Sequence, residues 1–477
     1  MGKNQKENFL LHLRKQDRML LDAFVYTSPN LYVEDSALQQ LKNAASIPST
    51  VHISATPDIH QGYGVPIGTV LGTTEVVVPA AVGYDINCGM RMITTGMDAE
   101  GFRLSELAQR VRQAVPLGEG KRNLILGKSD FVSVAEGGIR GLQSVRKSGN
   151  RVWEAWDDSE ITIEAGRIED GGSLKGEVST VSSTAIERGH SQLATLGGGN
   201  HFIEIQRIEE LYDDDVARQF GLKPGQITIM IHTGSRGFGH QIGGDYMKIA
   251  NRKTESRGSD LSGKGLGYLY LSDKEGRDYI KAMNCGANFA FANRFPLNLL
   301  VKAVMHELYP DAKLRLLYDV PHNILKIEKH LNRELYVHRK GATRAFGGRK
   351  MLGTEFTGTG QPVLIPGSMG TSSYVLAGVN DNEASLCSVN HGAGRVMSRT
   401  AAIGKSRHGK VVRTAEITDD EFKRSMKGIL LFAEDMKTIK EEAPQAYKDI
   451  DEVIKVVTEA GLARKIARVR PLAVLKG

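Results

Sequence analysis

Cysteine is scarce in this 477-residue chain: three residues, Cys88, Cys285 and Cys387, with no CxxC pair. An odd and widely spaced set is no disulfide framework, which points to a reducing compartment and a cytoplasmic location. No apolar run approaches the roughly 20 residues of a membrane span. The start, "MGKNQKENFLLHLRKQ", has no apolar stretch of the secretory kind. Gly2 invites a myristoylation reading, but the sixth residue is lysine where that pattern needs Ser or Thr. Familiar catalytic signatures are missing as well. There is no HExxH helix, and the lysine-centred KxDG of classical nucleotidyltransferase ligases is absent, since the Asp-Gly step falls in "IEDGG". "GSDLSGKG" (258–265) nearly spells a phosphate-binding P-loop, yet Gly265 replaces the required Ser or Thr and no buried strand precedes it.

What is present is a basic, glycine-rich enzyme-like composition. Net charge is +7, from 62 basic and 55 acidic residues, with 53 glycines. The excess leans toward a polyanionic partner. "HRKGATRAFGGRK" (338–350) and "RVMSRTAAIGKSRHGKVVR" (395–413) sharpen it, because glycine breaks can bring Arg and Lys to phosphates. A length prior of roughly 150 residues per domain suggests about three domains, but the motifs below run end to end and argue for one. Residues 1–50 read as a helix-and-turn lead-in around "DSALQQLKNAAS", and 51–97 as strands and loops. The spacing predicts helices over 101–116, about 273–308 and 418–463. Residues 117–190 are polar with weak periodicity, as in a peripheral insertion. The pattern is α+β, without regular βαβ alternation.

One design recurs. "ITIMIHTGSRGFGHQI" runs a strand into His232 and a glycine-rich turn, and "LRLLYDVPHNI" runs one into Pro321 and His322. "LGGGNHFIEIQ" opens a strand at His201, and "TEVVVPAAVGYDINCG" ends one near Asp85 and Cys88. Strand ends are rigid, and glycines let a ligand approach the backbone. A thiolate, a carboxylate and three imidazoles suit one or two divalent transition metals, and a soft thiolate can bridge two ions. Taken alone, Cys88 is an ordinary buried thiol and each histidine a packed one; their shared setting makes the case. Ligand softness by itself suggests zinc.

"NHGAGRVMSR" (390–399) is different in kind. His391 precedes a Gly-Ala-Gly turn, with Arg395 and Arg399 following. A histidine beside phosphate-binding arginines could be a ligand, a general base, or a nucleophile forming a phosphoramidate. "LIPGSMGTSSYVL" (364–376) offers a strand, a Pro-Gly turn, amides and hydroxyls suited to a nucleotide base or phosphate.

With these stretches in order, and with "PDIHQGYGVPIG", "CGANFAFANR", "YDVPHNILKIEKH" and the C-terminal "RPLAVLKG" among them, the chain resembles the RtcB family of RNA-splicing ligases over nearly its whole length. The resemblance implies one large catalytic domain spanning 1–477. It implies joining of RNA 3′-phosphate or 2′,3′-cyclic phosphate ends to 5′-hydroxyl ends, in tRNA splicing or RNA repair. Two Mn2+ ions would be held by Asp85, Cys88, His201, His232 and His322. Asp85 and His201 would go with one ion, His232 and His322 with the other, and Cys88 would bridge. GTP would donate GMP to His391. Asn200, His201, Glu204, His322, Asn323, the turn Pro366, Gly367, Ser368 and Met369, Ser373, Gly392, Ala393, Gly394 and Lys476 match positions around the guanine nucleotide. An archease-type activating protein is a partner of some family members. One departure is visible: Asn390 stands where the family usually has a cysteine. Two other functions fit the residues: a metal-dependent cyclic phosphodiesterase that does not ligate, and a non-catalytic RNA-binding subunit.

Overall fold

The strand Gln226–Thr233, "QITIMIHT", is buried at all eight positions. Apolar and β-branched side chains on both faces require cover on both sides. Ile227, Ile229 and Ile231 enter one core cluster, while Met230 enters a second. The computed structural model, which describes residues 7–145, 147, 149–407, 410–436 and 438–477, places this strand inside an eight-stranded sheet. Its path runs Arg315–Pro321, Gly89–Asp98, Gln226–Thr233, Phe202–Leu211, Ala463–Lys476, Ser373–Gly378, Pro362–Ile365, with Leu430–Ala433 also paired to Ala463–Lys476. A six-stranded sheet runs Leu10–Leu13, Ala23–Tyr26, Thr50–His60, Ile67–Thr73, Arg333–Lys340, Asn323–His330. The architecture is the α+β mix expected. His322 is the single residue between Arg315–Pro321 and Asn323–His330, so the chain crosses from one sheet to the other there.

The helix Lys274–Leu308 backs the larger sheet, and every residue from Cys285 to Lys302 is buried. A helix covered all round is a core helix. Its polar side chains are tied to neighbouring elements. Asn293 accepts from the Thr195 amide and donates to the carbonyls of Thr195 and Gly234. The Arg294 guanidinium donates to Asn87 O at 2.8 Å and Thr233 O at 3.0 Å, and pairs with Asp319 at 2.9 Å. Asp319 also holds Arg91, which reaches Glu164, and Glu164 takes Lys302. Buried charges of this kind need full pairing.

Three sequence expectations are revised. Residues 117–190 are woven into the core: helix Lys128–Gly141 buries Phe131, Val134, Ala135 and Ile139, and Glu164 joins the ion network. Their polar composition hid this because part of what they bury is charge. The lead-in before residue 50 contains helix Asp35–Ala44 but also the strands Leu10–Leu13 and Ala23–Tyr26. The helix expected over 418–463 is divided into Asp419–Ser425, the strand Leu430–Ala433 and Ile450–Glu459. Gly428, at φ 83°, turns the chain out of the first piece. Helices 104–114 and 274–308 lie where spacing put them. Among the described residues no helix is long and apolar enough to cross a membrane.

Replacing Asp319 with Ala would leave the Arg91 and Arg294 guanidiniums facing each other in a dry core. Urea denaturation should show a loss of about 3–5 kcal/mol; a loss under ~1 kcal/mol would show that the network braces nothing.

Candidate active site

Strand register gathers the site. Gly89 pairs with both Thr233 and Pro321, and Phe202 pairs with both His232 and Lys476. Five neighbouring strands therefore deliver His322, Cys88, His232, His201 and Lys476 at one edge of the sheet. Cys88 Sγ lies 3.1 Å from His232 Nε2 and 3.4 Å from His201 Nε2. His232 Nε2 is 3.3 Å from His322 Nε2, and His201 Nε2 is 2.9 Å from Asp85 Oδ2. The donors form two groups that share the thiol, Asp85–Cys88–His201 and Cys88–His232–His322, each with its atoms within 4.8 Å of one another. Gly234 makes room: a Cβ there would stand 2.4 Å from Asp85 Oδ1.

This donor set fits a cation. The Asn200 carbonyl lies 3.0 Å from His232 Nδ1, and a carbonyl only accepts, so Nδ1 carries the proton and Nε2 offers a lone pair. That lone pair points at His322 Nε2 and the Cys88 sulfur. Burial holds His232 and His322 well below the usual histidine range, hence neutral, as metal ligands must be. Burial, with the Asp85 charge beside it, pushes the Cys88 thiol well up; a divalent cation reverses that preference and makes a thiolate.

His391 stands next to the cluster, its ring centroid 5.0 Å from that of His322. Its Nδ1 is 2.6 Å from Oδ2 of Asp58, a fully buried residue of the strand Thr50–His60, and the same oxygen accepts the His391 amide at 3.2 Å. Burial pushes the Asp58 carboxyl up, but His391 and the Thr56 hydroxyl outweigh it and hold it below the usual range. An ionised Asp58 keeps the proton on Nδ1 and leaves Nε2 free to attack. Gly394 permits the approach: at φ +77°, a Cβ there would lie 2.3 Å from Asp58 O. Asp58 was not among the expected site residues. It lies in "PDIHQGYG", 333 positions from its partner, and nothing in local spacing connects them.

A cavity of about 380 Å3 opens over both features. Asp85, Cys88, His232, His322 and His391 line it, as do Asn200, Glu204, Asn323, Lys476, the turn Pro366–Met369 and Gly392–Gly394. His201 and Ser373 stand behind the lining. His201 reaches Asp85 and Cys88, and Ser373 Oγ accepts the Gly367 amide at 3.1 Å. Asn323 donates to Asp85 O at 3.1 Å and accepts from the Gly341 amide at 2.8 Å. The penultimate lysine is folded in: Lys476 is 3% exposed and donates to Gly199 O at 2.7 Å. Burial lifts the Glu204 carboxyl to about 8, against its bond from Gln206. Glu442 is also buried, but Lys476 and Arg395 hold it down to about 2. Phe202, Tyr447, Glu442 and His60 also line the cavity and were not among the expected site residues. Asn390 is buried and donates to Gly392 O at 2.7 Å, fixing the turn after His391.

The basic stretch 338–350 is not a phosphate-reaching loop. Arg339 is buried in a bidentate pair with Glu328, Lys340 donates to the carbonyls of Tyr63 and Val65, and Arg344 pairs with Glu169 and Asp170. Arg349 is exposed, and Lys350 pairs with Glu383. Of 395–413, Arg395 and Arg399 line the cavity; residues 408 and 409 and the side chains of 405–411 lie outside the described residues.

Titration with Co2+ should give a thiolate-to-metal charge-transfer absorption, because a sulfur lies among the donors. Cys88→Ala should abolish the band and lower the number of bound ions. The parent's spectrum and stoichiometry in that variant would remove Cys88 from the ligand set.

The family of the tRNA-splicing ligase RtcB matches residues 40–477. The tRNA-splicing ligase RtcB of Pyrobaculum aerophilum is 41% identical over 463 residues, 93% of this chain and 91% of that protein. That of Methanococcus maripaludis is 36% identical over 99% of this chain and 98% of its own length. The RNA-splicing ligase RtcB of Mycobacterium tuberculosis is 39% identical over 92% of this chain and 100% of its own. Matches of this extent, over a site assembled from both sheets, show that the chain belongs to the RtcB family of RNA-splicing ligases.

Proposed function

We propose that this protein ligates RNA, joining a 3′-phosphate or 2′,3′-cyclic phosphate end to a 5′-hydroxyl end with GTP and two Mn2+ ions, in splicing or repair of cytoplasmic RNA. The observation that carries the reading is the Asp58–His391 pair, which frees one imidazole nitrogen inside the cavity that holds the two donor groups.

A cyclic end must first add water, which breaks the P–O2′ bond and leaves a 2′-hydroxyl and a 3′-phosphate. That 3′-phosphate is a poor electrophile, because its leaving group would be oxide or water. His391 Nε2 attacks the α-phosphorus of GTP, forming a P–N bond and releasing pyrophosphate. An oxygen of the RNA 3′-phosphate then attacks that phosphorus, breaking the P–N bond and giving an RNA end capped through a pyrophosphate link to guanosine. The 5′-hydroxyl attacks the RNA phosphorus, loses its proton, and expels GMP. Cations held by Asp85, Cys88, His201, His232 and His322 would neutralise phosphate charge and favour in-line displacement. The choice of manganese over zinc rests on the resemblance to the family, since the donor set alone suits either.

The chain's own residues do the rest. Asp58 keeps the His391 proton on Nδ1 and stabilises the ring as charge develops. Lys476, Arg395 and Arg399 offer cations to the triphosphate. Glu204 supports guanine. Burial by itself keeps its carboxyl protonated. The two N–H groups on guanine's pairing edge, with Gln206 and Lys476 beside it, would favour the ionised form that accepts both, whereas adenine presents an acceptor there. Phe202 and Tyr447 supply aromatic wall for the base. A phosphodiesterase without ligation would leave the Asp58–His391 pair and this base pocket without a task.

His391→Ala should form no GMP adduct with labelled GTP and seal no ordinary ends, yet still join RNA whose 3′-phosphate already bears GMP. Loss of the preactivated reaction as well would make His391 a metal ligand or the base of the sealing step. Glu204→Gln should erode selectivity for GTP over ATP by about 10- to 100-fold in adduct formation, the scale of one mismatched bidentate contact. Unchanged selectivity would place the guanine elsewhere.

A further inference from the structure

Exposed aromatic rings gather at one place beside the cluster. Tyr63 and Tyr84 are 45% and 38% exposed. Tyr84 lies between Tyr63, with centroids 6.1 Å apart, and His240, at 4.9 Å with the planes 21° apart. The three rings come from separate segments, and each is held by its surroundings. The helix Arg236–Ser256 has glycines where Tyr84 lies on it: a Cβ at Gly243 would come within 3.2 Å of Tyr84 Cα, and one at Gly244 within 3.8 Å of its ring. The Tyr63 hydroxyl meets the Asn251 amide of the same helix at 3.4 Å, and its backbone carbonyl takes Lys340. Burial and nearby Arg188 hold His240 below the usual histidine range, so its ring is neutral and stacks. Lys248 and Arg252 stand one and two turns beyond Gly244 on this helix, exposed and without an ion pair among the described residues.

Single-stranded RNA is bound by aromatic faces for its bases and free cations for its backbone. The position identifies which strand. Tyr84 immediately precedes Asp85, at the end of the cluster formed with His201, whereas His391 contacts His322 at the other end. In an in-line displacement the attacking oxygen arrives opposite the leaving group. If GMP leaves from the His391 side, the attacking hydroxyl comes from the Asp85 side.

We propose that Tyr63, Tyr84 and His240 form a stacking platform for the first unpaired nucleotides of the RNA strand that carries the 5′-hydroxyl. The assignment of the strand rests on the ligase reading above; the stacking itself is measured without catalysis. A 5′-hydroxyl RNA with 2-aminopurine as its first base should be quenched on binding the full-length protein. Tyr63→Ala and Tyr84→Ala should each weaken that binding about ten-fold, the scale of one lost base stack, while Tyr84→Phe keeps it. Because Tyr84 adjoins Asp85, Tyr63→Ala carries the decision: it should raise KM for the 5′-hydroxyl strand about ten-fold while GMP labelling keeps the parent's rate. Unaltered affinity in Tyr63→Ala and Tyr84→Ala, or quenching only when the probe sits next to a 3′-phosphate, would overturn the platform. Failure of the parent to label with GMP would instead overturn the ligase reading and leave the quenching result standing.

Discussion

The buried Arg294 guanidinium sits at the point where the site could come apart. It binds the backbone carbonyl of Asn87, next to Cys88, and that of Thr233, next to His232, and it pairs with Asp319 on the strand that ends at His322. One rigid planar group thus indexes three ligand-bearing strand ends against each other. Arg suits this task because its donors lie in a fixed fork. Buried ion networks contribute little net stability. What this one contributes is position, and donor atoms that must lie within a few tenths of an ångström of a common centre need position most.

The two sheets divide the chemistry. The larger sheet presents the thiol, the three imidazoles of the donor groups and Lys476, all at one edge. The smaller sheet presents Asp58, and through it the orientation of His391. The seam at His322 brings the halves together, with His322 facing His232 on one side and His391 on the other. A single cysteine suffices because it stands at the meeting point of both donor groups. Asp85, held down to about 2 by His201 although burial pushes it up, stays charged through the neutral range.

Much of this was legible in the sequence, for a physical reason. Strand-to-glycine-turn transitions bearing Asp85, Cys88, His201, His232 and His322 are local patterns, and β-register converts them into one edge. The α+β mix and the long helix from 274 followed from periodicity in the same way. What escaped depends on pairings between distant segments. Asp58 meets His391 across 333 positions. Arg339 looks like a free cation until Glu328 is placed beside it by the adjoining strand. Residues 117–190 look peripheral until Glu164 is seen closing the network around Arg91. Polar sequence signals surface only when its charges lack buried partners, and local composition does not reveal partners.

The central claim is that Asp58 and the seam between the sheets make His391, and no lysine, the residue that receives the nucleotide. Peptide mapping by mass spectrometry after incubation with GTP and Mn2+, without RNA, tests it most directly. GMP should be found on the peptide containing His391, attached through the acid-labile P–N bond of a phosphoramidate. GMP on a lysine, whether Lys476 in the cavity wall or Lys448 beside Asp58, or no adduct at all, would contradict the account.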